Sequence, residues 1–256
     1  MKLNAIKFLI IILKGWEMKN RLDKLVKKYE TPDFIKSDPI QFPHRFKDRK
    51  DIEISAFISS LFAFGKREMF IKKLDFLFSL SSKPYELILD YKKYNLDDFL
   101  YRFIKSKDLI ELLRILNKLY CIDKSSLAEL FNDKDRLKKV TDYFYNNCRC
   151  SDSLGFCFMF AKPQKGGAMK RLNMFLRWMV RDGLVDFGIW DFIKKDELLI
   201  PLDTHVARLS REFGLLKRKQ NDFKAVIELT NKLKEFDPND PIKYDFALFG
   251  LGVNEK

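Results

Sequence analysis

Apolar residues recur three and four positions apart along almost the whole chain, and no stretch sustains the alternation of a half-buried strand. The pattern predicts helices throughout and therefore an all-α fold. The predicted helices cover residues 51–64, 66–80, 84–91, 107–120, 125–131, 135–146, 168–181, 187–195, 204–213, 221–235 and 240–250. All eight prolines fall between these segments or at their starts, where a helix tolerates proline.

The segment 148–167 has the least regular pattern, and we expect it to divide the fold into two helical lobes with a basic groove between them. It carries Cys148, Cys150 and Cys157, a C-x-C-x6-C arrangement that resembles part of a metal site. A zinc site usually has a C-x2-C pair and a fourth ligand, and the sequence offers neither. We therefore predict unligated thiols, no metal and no cofactor.

The amino terminus begins with an apolar run, Leu3 to Leu13, that resembles a signal-peptide core. No small-residue cleavage site follows it, and it is too short to span a bilayer. Because Met18 opens a charged amphipathic segment, we interpret residues 1–17 as an extension from an upstream start and 18–256 as one domain. A short membrane-tethering helix is the alternative. No other stretch approaches a transmembrane run, so we predict a cytoplasmic monomer.

The chain is strongly basic, with 49 Lys and Arg against 36 Asp and Glu and a formal charge of +13. Such a balance in a folded domain favours an anionic partner, and nucleic acid is the commonest. A generally lysine-rich proteome is the alternative explanation. The 25 phenylalanines predict a core rich in aromatic rings.

Candidate chemistry is concentrated between residues 163 and 216. The turn Lys165-Gly166-Gly167 precedes a predicted helix, and a glycine turn at a helix start leaves backbone N–H groups free for a phosphate. The basic residues in and after the turn are Lys165, Lys170, Arg171, Arg177 and Arg181. The alternative is an ordinary turn followed by a solvated basic face.

A second element is the run IPLDTHVARL, residues 200–209. Pro201 favours extended backbone before it, and Asp203 is well placed to cap the helix that follows. From the residues alone, Asp203 is a helix cap. His205 and His44 are isolated histidines, and we assign neither a role.

The run PLDTHVARLSREFGLL resembles the V-D-T-H-V-x-R-x-x-x-R-x-G-L segment of helix-hairpin-helix DNA glycosylases, the superfamily of endonuclease III. The spacing of 33 positions from Lys170 to Asp203 and the run KRLNMFLRWMV are more similar to the archaeal 8-oxoguanine glycosylase branch. From about Met18 the chain also resembles a bacterial family of proteins of unknown function, through DPIQFPHRF and YDFALFGLG.

Two departures from the glycosylases stand out. PQKGGAMK replaces the hairpin consensus L-P-G-x-G, and no cysteine follows Cys157, so the resemblance does not extend to an iron–sulfur cluster.

The resemblance implies a glycosylase with AP-lyase activity that excises a damaged base, such as an oxidised purine, from double-stranded DNA. It implies that Lys170 is the nucleophile and Asp203 the catalytic carboxylate. The candidate DNA contacts are Lys165, Gly166, Gly167, Arg171, Arg208, Lys66 and Arg67, and the candidate base-stacking residues are Trp178, Phe187 and Trp190. Core packing is the alternative for each aromatic residue. A non-catalytic DNA-binding protein of the same fold and a helical interaction scaffold are the rival functions.

Overall fold

The protein is mostly helical in a computed structural model that describes residues 2–254, with side chains from residue 13 onward. The α-helices are α1 Lys2–Tyr29, α2 Pro32–Ser37, α3 Arg49–Phe62, α4 Arg67–Ser79, α5 Pro84–Leu89, α6 Ser106–Asn117, α7 Leu127–Phe131, α8 Arg136–Asn147, α9 Leu154–Met159, α10 Lys170–Val180, α11 Thr204–Glu212, α12 Phe223–Lys234 and α13 Tyr244–Asn254. The pattern of apolar residues therefore predicted the fold class correctly.

Short elements connect these helices. Strands β1 Leu100–Tyr101 and β2 Ile104–Lys105 form an antiparallel hairpin that pairs Tyr101 with Ile104. A π-helical turn, Lys118–Ile122, extends α6. The 3-10 turns are Pro39–Gln41, Pro43–Arg45, Tyr91–Lys93, Pro163–Lys165, Lys195–Glu197 and Pro241–Lys243.

The predicted helix 187–195 is wrong, because this segment is an extended connection with a single 3-10 turn at its end. The N–H groups of Phe187 and Trp190 donate to the carbonyls of Trp178 and Met179, each at 2.8 Å. Gly188 adopts a left-handed φ of +58°, which would be strained in other residues. Bonds to α10 thus replace the hydrogen bonds of the predicted helix.

The prediction that residues 148–167 are irregular is only partly right, because they contain α9. The hairpin β1–β2 was not predicted, since two residues in a strand are too few to show an alternating pattern. The division into two lobes stays a prediction.

The core is built largely from aromatic rings, as the phenylalanine content predicted. Phe57 of α3 and Phe175 of α10 meet edge to face with centroids 5.2 Å apart, and Trp190 lies 5.2 Å from Phe175. Phe144 and Phe160 stack at 4.2 Å beside them. These contacts hold α10, the helix that carries Lys170, against α3.

Helix α1 continues through the proposed domain boundary at Met18. Helix α1 packs on α13, where the Tyr244 hydroxyl donates to Asp23 at 3.0 Å; in its second half Leu22 and Val26 are buried, whereas Leu13 and Trp16 are exposed. Met1 and the side chains of 2–12 lie outside the described residues, so the interpretation of 1–17 as an extension stays a prediction. Among the described residues, no helix is both long and apolar enough to cross a membrane.

Two buried arginines, Arg177 in the last turn of α10 and Arg181 directly after the helix, join four other parts of the chain. Arg177 pairs with Asp186 at 3.2 Å and with Asp245 at the start of α13. Arg181 pairs with Asp186 at 2.6 Å, with Asp240 at 2.8 Å and with Glu30 after α1 at 3.1 Å. Both arginine side chains are only 3–4% exposed, and each charge is compensated by at least two carboxylates.

Replacing Gly250 by alanine should destabilise the protein, because α13 packs there directly on α1. A Cβ at Gly250 would lie 2.7 Å from the Cβ of Tyr29. We expect Gly250→Ala to lower the free energy of unfolding by about 1–3 kcal/mol, measured by denaturant unfolding. Gly15→Ala is the matched control, since a Cβ there meets no atom within 4 Å. That variant should be neutral or more stable because alanine favours a helix. Equal stability of the two variants would contradict the close packing.

Asp245 should make the stability of the protein depend on pH. Burial raises the pKa of its carboxyl to about 6 from an ordinary value of 3.8, against the opposing effect of Arg177. The folded state therefore binds more protons than the unfolded state from about pH 4 to about pH 6, and this group's contribution to stability falls as the pH rises through that window.

We subtract the unfolding free energy of Asp245→Asn from that of the wild type, and we expect this difference to decrease between about pH 4 and pH 7. Denaturant unfolding at each pH measures it. Asp142→Asn, which removes the partner of Lys138 on the surface of α8, controls for the loss of a carboxylate. A difference for Asp245→Asn that is independent of pH would contradict this assignment.

Candidate functional site

A cavity of about 740 Å³ opens where five parts of the chain meet. Its walls come from α2 and the turn that follows it, the turn between α3 and α4, the segment from α9 into α10, the start of α11, and α13. Ligand pockets of proteins commonly have volumes of about 300–1,000 Å³. The cavity is therefore large enough for a group of the size of a nucleotide base.

Lys170 and Asp203 come together in this cavity. The Lys170 Nζ lies 3.6 Å from the Asp203 Oδ2, with the two side chains 30% and 12% exposed. Both residues line the cavity and both stand at helix starts, Lys170 as the first residue of α10 and Asp203 as the cap of α11. The ammonium and the carboxylate thus converge from two helices, although they are far apart in the sequence.

Asp203 has two functions in this geometry. Its Oδ1 accepts a hydrogen bond of 2.8 Å from the N–H of Val206 and caps α11, as the residue pattern predicted. Its other oxygen, Oδ2, is the atom that approaches Lys170. Capping fixes the carboxylate, so the side chain presents the second oxygen to the cavity without further ordering.

Helix α10 begins without a side-chain cap. Met169 precedes it at a left-handed φ of +54° and makes no side-chain bond to the first turn. The helix starts at Lys170, two residues later than predicted. The positive end of the helix dipole and the uncapped first turn lie at the cavity wall and suit an anionic group.

The prediction of free backbone N–H groups at Gly166 and Gly167 is wrong. The N–H of Gly166 donates to the Pro163 carbonyl at 2.9 Å, and that of Gly167 donates to the Lys162 carbonyl at 3.2 Å. The Gly166 carbonyl in turn accepts from the N–H of Phe223 at 3.2 Å. The turn satisfies its own amides and docks on the start of α12.

Arg171 lies beside the cavity rather than on the basic surface expected of a phosphate contact. Its guanidinium carbon lies 4.1 Å from the ring centroid of Phe158 and 5.6 Å from that of Phe64. Nη2 donates to the Phe158 carbonyl, and Nη1 is shielded from solvent with no hydrogen-bond partner among the described residues. Burial lowers the pKa of this arginine to about 10, so it stays charged at neutral pH.

Two buried carboxyl groups, Asp38 and Asp245, also line the cavity, and neither was predicted from the sequence. Burial raises the pKa of Asp38, while the charge of Arg177 opposes that shift. Asp38 caps the 3-10 turn at Pro39 by accepting from the N–H of Ile40 at 3.1 Å. The only sequence signal was an aspartate before a proline, which is typical of an ordinary turn.

The predicted base-stacking residues do not reach the cavity. Trp178 is completely buried, and Trp190 is 1% exposed with its Nε1 donating to Glu53 at 2.8 Å. Phe187 stacks on His44, with centroids 4.3 Å apart. None of the three lines the cavity: Trp178 and Trp190 lie in the core, and Phe187 is half-buried against it. The aromatic residues that line the cavity are instead Phe34, Phe64, Phe70, Phe158 and Phe249.

The remaining predicted DNA contacts divide into two groups. Arg67 lines the cavity, and Gly65 beside it adopts a left-handed φ of +79° that brings the chain around the turn after α3. Lys66, Lys165 and Arg208 are exposed outside the cavity lining, and Arg208 pairs with Glu212 at 2.9 Å. Their contact with DNA stays a prediction.

The three clustered cysteines do not converge on one point. The Sγ atoms of Cys148 and Cys150 lie 3.7 Å apart, but Cys157 donates from its Sγ to the Ser151 carbonyl. Within the described part of the chain, no group of three or more His, Cys, Asp or Glu side chains is arranged to hold a metal ion.

Residues 38–254 match the model of a family described as a protein of unknown function, DUF2400. No curated protein matches the chain. No solved structure matches it either. Because the family model covers most of the sequence, including Lys170, Asp203 and the whole of α13, the chain belongs to the DUF2400 family.

Proposed function

We propose that the protein is a DNA glycosylase with AP-lyase activity, acting in the cytoplasm as a monomer on double-stranded DNA that contains a damaged base. The observation that carries the proposal is the separation of 3.6 Å between the Lys170 Nζ and the Asp203 Oδ2 at the wall of a base-sized cavity. The resemblance of residues 201–216 to the glycosylase segment supports Asp203, and the position of Lys170 at the start of the preceding helix, 33 positions earlier, resembles that of the nucleophile in the same superfamily.

The proposed reaction begins with the transfer of a proton from the Lys170 ammonium to Asp203. The neutral amine attacks C1′ of the damaged nucleotide and forms the Nζ–C1′ bond. As that bond forms, the N-glycosidic bond breaks and its electron pair leaves on the base, which takes up, through solvent, the proton that Asp203 had accepted. Asp203 is then a carboxylate again and stabilises the positive charge that the sugar carries while the two bonds exchange.

The lyase step follows from the same covalent bond. The positively charged Nζ, now bonded to C1′, first loses one of its two protons. The C1′–O4′ bond then breaks as the C1′=N bond of the Schiff base forms, and O4′ takes up a proton. Loss of a C2′ proton to solvent and cleavage of the C3′–O bond then eliminate the 3′ phosphate, and hydrolysis of the C1′=N bond by water releases Lys170. No metal or cofactor enters this sequence.

The surroundings of the pair fit a base that has left the duplex. Unstacking a base costs a few kcal/mol, and contacts of cations with phosphates offset part of that cost. Arg67 at the cavity and the uncapped start of α10 are the nearest partners for phosphates of the extruded nucleotide. Phe64 and Phe158 offer apolar walls to the base.

Replacing Lys170 by alanine should abolish covalent capture of DNA. We expect the full-length protein, incubated with borohydride and a duplex containing an AP site, to form an adduct that Lys170→Ala does not form, because the substitution removes the amine. Gel electrophoresis of the reduced products measures it. Lys138→Ala, on the surface of α8, is the control and should form the adduct at the wild-type rate.

The outcomes of this experiment separate the rival functions. An adduct that persists in Lys170→Ala contradicts the assignment of the nucleophile. Salt-sensitive DNA binding without any adduct or base release favours a non-catalytic DNA-binding protein. Absence of DNA binding at low salt overturns the proposal and leaves an interaction scaffold.

Replacing Asp203 by asparagine should slow catalysis without unfolding the protein. Asparagine caps a helix as well as aspartate does, so α11 should remain intact while the negative charge next to Lys170 is lost. We expect the single-turnover rate of adduct formation to fall on the order of 100-fold or more.

Asp222→Asn is the matched control for this substitution. Asp222 caps α12 through a bond of 3.0 Å from the N–H of Ala225 and lies outside the cavity lining. Its replacement should leave the rate of adduct formation unchanged. Equal rates for Asp203→Asn and the wild type would contradict the catalytic role of the carboxylate.

A further inference from the structure

Arg171 has a property that contact with a phosphate does not explain. It follows Lys170 on the first turn of α10, yet its guanidinium lies over the ring of Phe158 at the cavity, with the ring of Phe64 farther away on the same side. The two rings come from different parts of the chain, the α3–α4 turn and α9, with centroids 4.5 Å apart. Phe103 of the hairpin turn packs on both, at 5.6 and 4.4 Å. Three separate segments therefore hold together the rings on which this cation lies.

The hydrogen bonds of Arg171 are incomplete among the described residues. One terminal nitrogen, Nη2, is occupied by the Phe158 carbonyl, while the other, Nη1, has no partner although solvent does not reach it. No carboxylate lies within ion-pair distance of Arg171 among the described residues, in contrast to Arg177 on the same helix and Arg181 directly after it. A buried donor without a partner is unusual in a native protein, and such groups occur at functional sites.

An arginine side chain donates hydrogen bonds and accepts none. A ligand group that satisfies Nη1 must therefore present an acceptor, such as a carbonyl oxygen or an unprotonated ring nitrogen. If the base carried an exocyclic amino group at that position, the N–H groups of Nη1 and of the base would face each other. Both are hydrogen-bond donors, so neither would have an acceptor. Arg171 thus provides a means of selecting one class of base.

We infer that Arg171 is the specificity residue of the cavity and that it selects damaged bases presenting an exocyclic carbonyl oxygen, which accepts from Nη1 once the entering base displaces the side chains that shield this nitrogen from solvent. This inference rests on the proposed glycosylase function and adds the substrate class to it. The same bond stabilises the negative charge that develops on the carbonyl oxygen when the glycosidic electron pair leaves on the base. Arg171 therefore acts on the base, whereas Lys170 and Asp203 act on the sugar.

The inference predicts that Arg171→Met separates two activities of the full-length protein. The substrates are duplexes that contain 8-oxoguanine or uracil, which have exocyclic carbonyls, a duplex with 1,N6-ethenoadenine, which has none, and a duplex with a preformed AP site. The wild type should excise at least one carbonyl base and leave ethenoadenine in place. Arg171→Met should excise that carbonyl base on the order of 10- to 100-fold more slowly. Its borohydride adduct with the AP site, where no base remains, should form within about twofold of the wild-type rate.

Arg171→Lys keeps a charged donor and should recover part of the lost excision rate. The unchanged AP-site adduct also shows that the methionine variant is folded, so a loss of excision cannot be ascribed to unfolding. Wild-type excision of the carbonyl base by Arg171→Met would overturn the inference while leaving the proposed function intact. An equal loss of excision and AP-site trapping would also overturn it, because Arg171 would then hold the site together rather than select the base. A wild-type protein that neither excises a base nor forms an adduct overturns the proposed function itself.

Discussion

The arrangement of the protein depends on two buried positive charges at the end of α10. Arg177 in the last turn and Arg181 directly after it require carboxylates in a medium that screens charge poorly. The chain supplies them from the connection after α10, from the start of α13, from the turn before it and from Glu30 after α1. Because every partner must be in place at once, the network fixes α10 and α13 relative to each other. Arg177 and Asp245 are also part of the cavity lining, so the network that stabilises the fold sets the shape of the site as well.

The starts of the two helices that carry Lys170 and Asp203 are built differently. Asp203 closes the start of α11, and its bond to Val206 fixes the carboxylate. Lys170 opens α10 after an uncapped left-handed residue, so the first turn of that helix keeps its positive end at the cavity wall. A fixed acceptor therefore faces a cation on an uncapped helix. Under the proposed mechanism this difference assigns the proton acceptor to α11 and the attacking amine to α10.

The features that could be predicted from the sequence are those that depend on residues close together in the chain. The apolar spacing located most helices, since one stripe of each helix is buried, and it placed Asp203 as a cap. The pairing of Lys170 with Asp203 was predicted through the family resemblance, because no local pattern relates two residues 33 positions apart. The segment 187–195 was wrongly predicted because its backbone bonds to α10, a tertiary contact that competes with helix formation. The spacing of apolar residues does not distinguish an aromatic residue of the core from one that lines a cavity. Trp178 lies in the core, whereas Phe64 lines the cavity.

Three arginines, two on α10 and one directly after it, show how one segment serves both stability and the site. Arg177 and Arg181 lie among carboxylates, and their charges are fully paired within the protein. Arg171 lies against aromatic rings, which attract a cation but accept no strong hydrogen bond, and the described residues supply no carboxylate partner for its charge. Because rings take the place of carboxylates, this cation is unpaired but still desolvated, and desolvation strengthens any hydrogen bond it makes to an entering group. In the proposed glycosylase, this contrast between the start and the end of α10 separates the arginine that selects the base from the arginines that hold the fold.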